Sequence, residues 1–278
     1  MKISNKLCLI FSIVFFSAPT AAVEICGNLS QGEIVVGKIA KDSEAYLNGT
    51  KIDVDETGAF LAAFGRDEKD DQLLSVVNAQ GEPQNIILPI SPTKWNIQNI
   101  KGVPPRKVNP SDSDLAAINK ENSLLGKAFK TLNRETFWRD GFIKPVEGRI
   151  SGEFGGQRIM NKIPKSPHRG MDIAASEGTP VKASAKGKVV LAYPDLFYSG
   201  NVVVIDHGFG LQTIYAHLSE IKVKLNDNVE QGDIIGLVGK TGRATGPHLH
   251  FGASLRNLRF NPQSLLDMNN NLQKCFTL

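Results

Sequence analysis

Gly246-Pro247-His248-Leu249-His250-Phe251 is the stretch on which the reading of this chain turns. In an extended segment, side chains two apart point the same way, so His248 and His250 share one face of a strand. Two neighbouring imidazoles are half of a metal site. Upstream, His168-Arg169-Gly170-Met171-Asp172 supplies another imidazole with a carboxylate four residues on. Both groups are good zinc donors, and a catalytic zinc takes three protein ligands while leaving a position open. Between them lies Tyr215-Ala216-His217-Leu218, and four of the chain's five histidines sit in these three motifs. That concentration implies the site of a zinc hydrolase.

Outward from this stretch, residues 141 to 268 read as one β domain. Lys188 to Tyr193, Asn201 to Ile205, Leu211 to His217 and Ile234 to Val238 are half-buried strand candidates. Gly208-Phe209-Gly210 and Gly239-Lys240-Thr241-Gly242 supply turns between them. Helical periodicity is absent, so the expected architecture is an antiparallel sheet whose loops surround one groove. Residues 269 to 278 are left as a short tail.

Residues 97 to 140 read as linker and helix. Val103-Pro104-Pro105 and Asn109-Pro110-Ser111 mark the linker. A helix is expected to start near Ser111 to Ser113 and run to about Arg134, with Leu115, Ile118, Leu125, Phe129 and Leu132 forming an apolar stripe for packing. Nothing in these residues requires the helix to block a site. Before it, residues 23 to 96 carry short strand-like runs such as Ile34-Val35-Val36, Ala45-Tyr46-Leu47, Ala59-Phe60-Leu61 and Ile86-Ile87-Leu88. Asn48-Gly49 between two runs is a hairpin signal. The spacing predicts a small sandwich similar to immunoglobulin-like accessory domains, with no catalytic constellation.

Residues 1 to 22 have the layout of an export signal: Lys2 and Lys6, an apolar run from Leu7 to Phe16, then Ala18, Thr20, Ala21 and Ala22. The run falls short of the roughly 20 residues that span a bilayer. A composition of 41% hydrophobic and 22% charged residues is that of a soluble globular protein. The formal charge is +4, which losing Lys2 and Lys6 would reduce further. So small an excess speaks against nucleic acid and fits mild attraction to an acidic polymer. Cys8 would leave with the signal, and Cys26 and Cys275 remain at opposite ends of the chain. In an oxidising compartment they are expected to bridge, the alternative being two free thiols.

Periodicity does not bring His168 and Asp172 against His250. A resemblance does. His168-Arg169-Gly170-Met171-Asp172-Ile173-Ala174-Ala175, Thr213 to Ser219, Thr241-Gly242 and Thr245 to Phe251 together resemble the lysostaphin/LytM family of zinc metallopeptidases. Gly148-Arg149-Ile150-Ser151 with Phe154-Gly155, Val189-Val190 and Asp206-His207-Gly208 extend the likeness over roughly Lys144 to Leu266. The resemblance implies one zinc ion held by His168, Asp172 and His250, with His217 and His248 beside it as non-ligating acid and base. Their division of labour stays open. Tyr215 is either a substrate or oxyanion group or a half-buried strand aromatic, and His207 reads as structural. The family's usual acidic residue after His-Leu-His-Phe is Gly252 here, which touches no expected ligand.

The implied substrate is the peptide stem of peptidoglycan. Export without an evident wall-binding repeat suggests the periplasm and the D-Ala to diaminopimelate cross-link, hence a D,D-endopeptidase with no integral membrane contact. Two alternatives belong beside it. Non-catalytic members of the family activate wall amidases but typically lose zinc ligands that this sequence keeps. A secreted lysin with glycyl or other peptide specificity would share the same motifs. No regulatory partner is legible.

Overall fold

The computed structural model describes residues 23–276, and the expected export signal over 1–22 lies outside them. Seven short strands come first: β1 (Glu24–Cys26), β2 (Ile34–Lys38), β3 (Glu44–Leu47), β4 (Thr50–Ile52), β5 (Ala59–Ala63), β6 (Gln72–Val77) and β7 (Pro83–Leu88). They make two antiparallel sheets, ordered β1-β2-β5 and β4-β3-β6-β7. Asn48 and Gly49 close the β3-β4 hairpin with φ of 48° and 76°. Positive φ at both central residues is what a two-residue hairpin turn demands and what Asn-Gly supplies. Val35, Phe60 and Ala62 meet Ala45, Leu74 and Val76 between the sheets.

A sheet with one wet face would alternate buried and exposed residues, yet every residue of β5 is buried and only the last of β2 is not. The second face explains this. Ile34, Val36, Leu61 and Ala63 pack on Trp138, Phe209, Phe260, Leu265 and Met268 from the rest of the chain. The β1-β2-β5 sheet is therefore a layer shared by both halves, and a disulfide joins Cys26 in β1 to Cys275.

The stretch read as linker is structured: it holds β8 (Ile97–Ile100) and α1 (Pro105–Val108), followed by α2 (Asp112–Ala128). The helix stops short of Arg134, with Phe129 as its C-cap. Part of the expected stripe is the buried face: Phe129 is buried, and Ile118 and Leu125 are half-buried beside the buried Asp114 and Glu121, whereas Leu115 is 47% exposed and Leu132, beyond the helix, 66%. Both carboxylates are satisfied there, which removes the cost of burying them. Asp114 Oδ2 accepts from the Ser111 N–H at 3.0 Å, and Glu121 accepts from the N–H groups of Tyr198 and Ser199 at 2.7 and 3.0 Å.

The remaining strands are β9 (Arg149–Gly152), β10 (Gln157–Met160), β11 (Ile163–Pro164), β12 (Met171–Ala174), β13 (Pro180–Lys182), β14 (Gly187–Leu196), β15 (Gly200–Asp206), β16 (Leu211–Ile221), β17 (Asn228–Val229), β18 (Ile234–Val238), β19 (His248–Leu255) and β20 (Leu258–Phe260). The main sheet runs β17-β14-β15-β16-β19-β12-β9 and is antiparallel. The β8-β10 pair is parallel, a departure from the expected pattern. After α3 (Pro262–Leu266), the presumed tail is α4 (Met268–Phe276), whose Met268, Leu272 and Cys275 are buried. Among the described residues no helix is long and apolar enough to cross a membrane.

Alternation along the central strands sorts the two faces. Val203, Ile205, Tyr215, Leu249 and Phe251 fill one core. Val202, Val204, Ile214 and Ala216 pack under Ala128 and Phe129 at the end of α2. His248 and His250, alternating with Leu249 and Phe251, emerge on the α2 side.

Candidate metal centre

His250 in β19 pairs with Asp172 in β12 on one side and with Ala216 in β16 on the other. Side chains directly opposite on neighbouring strands stand about 5 Å apart at Cβ, so one row of the sheet brings His250 and Asp172 together over a small residue. His168, on the turn leading into β12, completes the group. Its Nε2 lies 3.0 Å from His250 Nδ1 and 3.1 Å from Asp172 Oδ1, and His250 Nδ1 is 2.9 Å from the same oxygen. Three donor atoms converge on one place, and the set could hold a metal ion. Two imidazole nitrogens and one carboxylate oxygen are a donor set that suits a catalytic zinc.

Close backbone approach makes this possible. A Cβ on Gly170 would stand 2.7 Å from His250 Cε1 and 2.6 Å from the Phe251 carbonyl oxygen. Glycine at 170 therefore lets the His250 ring lie against the backbone that carries His168 and Asp172. Gly252, where an acidic residue was expected, is packed so that a Cβ would sit 2.7 Å from Ile214 Cγ2.

Carbonyl partners fix the tautomers. His168 Nδ1 donates to the Glu153 carbonyl at 3.0 Å, leaving Nε2 as a lone-pair donor toward the centre. His217 Nδ1 donates to the Thr241 carbonyl and His248 Nδ1 to the Gly246 carbonyl, each at 2.8 Å. Both thus keep a free Nε2. The His217 ring centroid lies 4.8 Å from that of His248 and 5.9 Å from that of His250. Burial lowers the pKa of His168 and takes that of His250 to about 4. Burial also acts to raise Asp172, but the charge and hydrogen bond of His168, then those of His250, outweigh it and hold the carboxyl well below its usual range. Neutral imidazoles beside an ionised carboxylate are the protonation state a bound cation requires.

His217 reaches this face only because the strand is broken there. By alternation it would follow Tyr215 into the opposite core. Instead the β15-β16 register shifts between Val203–Tyr215 and Asn201–Leu218, and His217 takes φ of 64°. The extra residue in β16 is a bulge, a device that re-aims a side chain. Tyr215, for which a substrate or oxyanion role stood open, has 0% exposure and accepts the Ser184 N–H at 2.8 Å within the core. It is excluded from the centre by the sheet itself. His207 is buried as well, held by the Lys186 carbonyl and the Thr213 hydroxyl, each at 2.7 Å.

Arg158 and Gln98 were not legible as site residues. Arg158 is ion-paired with Asp172 Oδ2, and its Nε donates to Gln98 Oε1 at 3.2 Å. Gln98 in turn donates to the Glu153 carbonyl that orients His168, at 3.2 Å. The parallel pairing of β8 with β10 creates this network, and no local sequence pattern announces it.

An antiparallel sheet thus carries a His, Asp, His donor set with two further imidazoles beside it. Residues 166–262 match the model of Peptidase family M23, and the chain carries a domain of that family. It is 43% identical over 129 residues to the DD-carboxypeptidase/endopeptidase Mpg of Neisseria meningitidis, covering 46% of this chain and 30% of that protein. It is 40% identical over 141 residues to the peptidoglycan DD-endopeptidase ShyA of Vibrio cholerae, covering 50% of this chain and 30% of that protein. The chain thus spans less than a third of the length of these curated relatives. A solved structure of a putative peptidase M23 from Pseudomonas aeruginosa superposes with a TM-score of 0.65 at 28% identity, covering 87% of this chain and 96% of that one. The likeness to it includes much of the amino-terminal half.

Proposed function

We propose that this protein is an exported zinc metalloendopeptidase that hydrolyses peptide cross-links of peptidoglycan, with the D-Ala to diaminopimelate bond as its preferred cut. The observation that carries the reading is the convergence of His168 Nε2, Asp172 Oδ1 and His250 Nδ1 within 3.1 Å of one another, beside two imidazoles whose Nε2 atoms are free. The naming of relatives as DD-endopeptidases supports the substrate. A substrate outside the cytoplasm also accords with the export signal read in the sequence.

His168, Asp172 and His250 would hold the zinc. When bound, zinc acidifies water and polarises a carbonyl. The protein's own residues do the rest. His217 Nε2 and His248 Nε2 face the centre with their lone pairs uncommitted, because each Nδ1–H is spent on a carbonyl. Between them they take a proton from the attacking water and return one to the leaving amine. Burial, then the neighbouring His248 and His250, keep the His217 pKa well below the usual imidazole value, so it stands ready as a neutral base at neutral pH.

The test is digestion of purified cross-linked muropeptides by the zinc-loaded protein, read by mass spectrometry. Dimers should fall to monomers with the gain of one water, and chelation or His217→Ala should abolish this. Stoichiometric zinc with intact cross-links would sink the proposal.

A further inference from the structure

The groove over the metal centre, about 560 Å³, has an unbalanced electrostatic lining. Among its described lining residues Glu121 is the one carboxylate, and its oxygens are occupied by the N–H groups of Tyr198 and Ser199 and by the Ser199 hydroxyl. Of the five cations, Arg158 is committed to Asp172 and Gln98, Lys165 bonds Asn109, and Arg169 is exposed to solvent. Among the described residues, no carboxylate or carbonyl pairs with the guanidinium groups of Arg243 and Arg259. Each has only an aromatic face: Arg243 stacks 4.4 Å from the Tyr198 ring centroid, and Arg259 lies 3.4 Å from that of Phe129.

Both side chains are half-buried, and burial lowers the pKa of Arg243 and takes that of Arg259 to about 9. Partly desolvated charges are normally paired. A guanidinium over an aromatic face still has N–H donors to offer, and its fork matches a carboxylate with two parallel hydrogen bonds. Phosphate would fit the same fork, but the substrate class proposed above carries carboxylates.

The supports beneath the two arginines are spaced along α2. Glu121 of α2 holds the turn on which Arg243 stacks, and Phe129, eight residues on, lies under Arg259. Eight residues of helix measure roughly 12 Å. That is the reach of roughly three to four extended residues. The Arg243 loop is tied to His217 through the Thr241 carbonyl, while Arg259 pairs with Ser254, four residues along β19 from His250.

We infer that Arg243 and Arg259 are two carboxylate-recognising subsites along the groove, and that the chain selects peptides with free carboxylates near the scissile amide over the same peptides in amidated form. The inference rests on the endopeptidase reading only for the identity of the peptide.

The experiment compares cross-linked muropeptides whose stem carboxylates are free with the same dimers amidated, using the zinc-loaded full chain, Arg243→Gln and Arg259→Gln. On free-carboxylate dimers each substitution should raise KM about tenfold with kcat within about twofold, the loss of one charge-assisted hydrogen-bonded pair. Amidation should raise KM of the unmodified protein similarly and leave the variants little further to lose. A parallel arm follows, by fluorescence anisotropy, the binding of a labelled uncross-linked stem peptide, which offers no cross-link to cut. Tighter binding of the free acid, lost in the variants, supports the subsites even if no dimer is cleaved, in which case the endopeptidase reading alone fails. Cleavage and binding indifferent to amidation would overturn the subsites and leave that reading intact. Because the amidation comparison uses the unmodified protein, misfolding of a variant cannot mask the answer.

Discussion

Arg158 grips one oxygen of Asp172 while the other oxygen faces His168 and His250. The guanidinium therefore sets which way the carboxylate points, and Gln98 sets the guanidinium. Groups that orient a ligand from behind typically change metal affinity by about 10- to 100-fold when removed. Arg158→Gln is expected to weaken zinc binding by about that range, read by competition with a chromogenic chelator. Gln98→Ala should give a smaller loss in the same direction, because the main ion pair survives. Unchanged zinc affinity in Arg158→Gln would mean that the pair serves only the fold.

The left-handed backbone at His217 separates two roles that a single substitution would confuse. Asn visits that region far more readily than other non-glycine residues, whereas Ala there costs about 1 kcal/mol or more. His217→Asn and His217→Ala should both abolish hydrolysis while binding zinc like the unmodified protein. In urea unfolding, however, Ala should be the less stable by about 1 kcal/mol. Residual cleavage in both variants would assign the essential proton transfer to His248 alone.

What could be read in the sequence follows from how local the cause is. The shared face of His248 and His250 depends only on a strand's period of two, and the Asn48-Gly49 turn only on φ. The helix was legible from near Ser111, and so were the apolar members of its buried face, Ile118, Leu125 and Phe129. Asp114 and Glu121 are buried on that face by hydrogen-bonding partners, one of which is 78 residues away, so hydrophobic periodicity finds the apolar residues there but not the two carboxylates. His217 on the active face needs a bulge, β8 needs a parallel partner in β10, and α4 needs a sheet from the other end of the chain. Each of these causes is non-local.

His207 supplies a pH dependence that does not involve the metal. Burial takes its pKa to about 4, against 6.5 for an exposed imidazole. As pH falls below 6.5 the unfolded chain takes up a proton that the folded one refuses until about pH 4, so stability is lost across that window and not above it. The shift corresponds to about 3 kcal/mol at the acid end. Metal-free protein should show this loss in urea titrations between pH 7 and 4. His207→Gln, although less stable at pH 7, should show a correspondingly shallower slope. Equal slopes in the two proteins would mean that His207 contributes nothing to that loss, leaving it to the other buried imidazoles.

The disulfide between Cys26 and Cys275 closes a loop of 249 residues. In the chain-entropy account such a link stabilises by on the order of 5 kcal/mol, a ceiling because the unlinked chain keeps some structure. Reduction should therefore lower the melting temperature markedly, and its local consequence is predictable. Met268 and Leu272 of α4 pack on the outer face of the β1-β2-β5 sheet, and with the Asn269 hydrogen bonds to Phe142 and the Phe276 ring contacts they must then retain the helix without the covalent link. Limited proteolysis should cut in α4 of the reduced protein before any site in the main sheet. Muropeptide hydrolysis should survive at temperatures where the sheet is folded, because no ligand or catalytic imidazole lies on β1 or α4. If reduction abolished hydrolysis without lowering the melting temperature, the terminal link would instead be coupled to the groove.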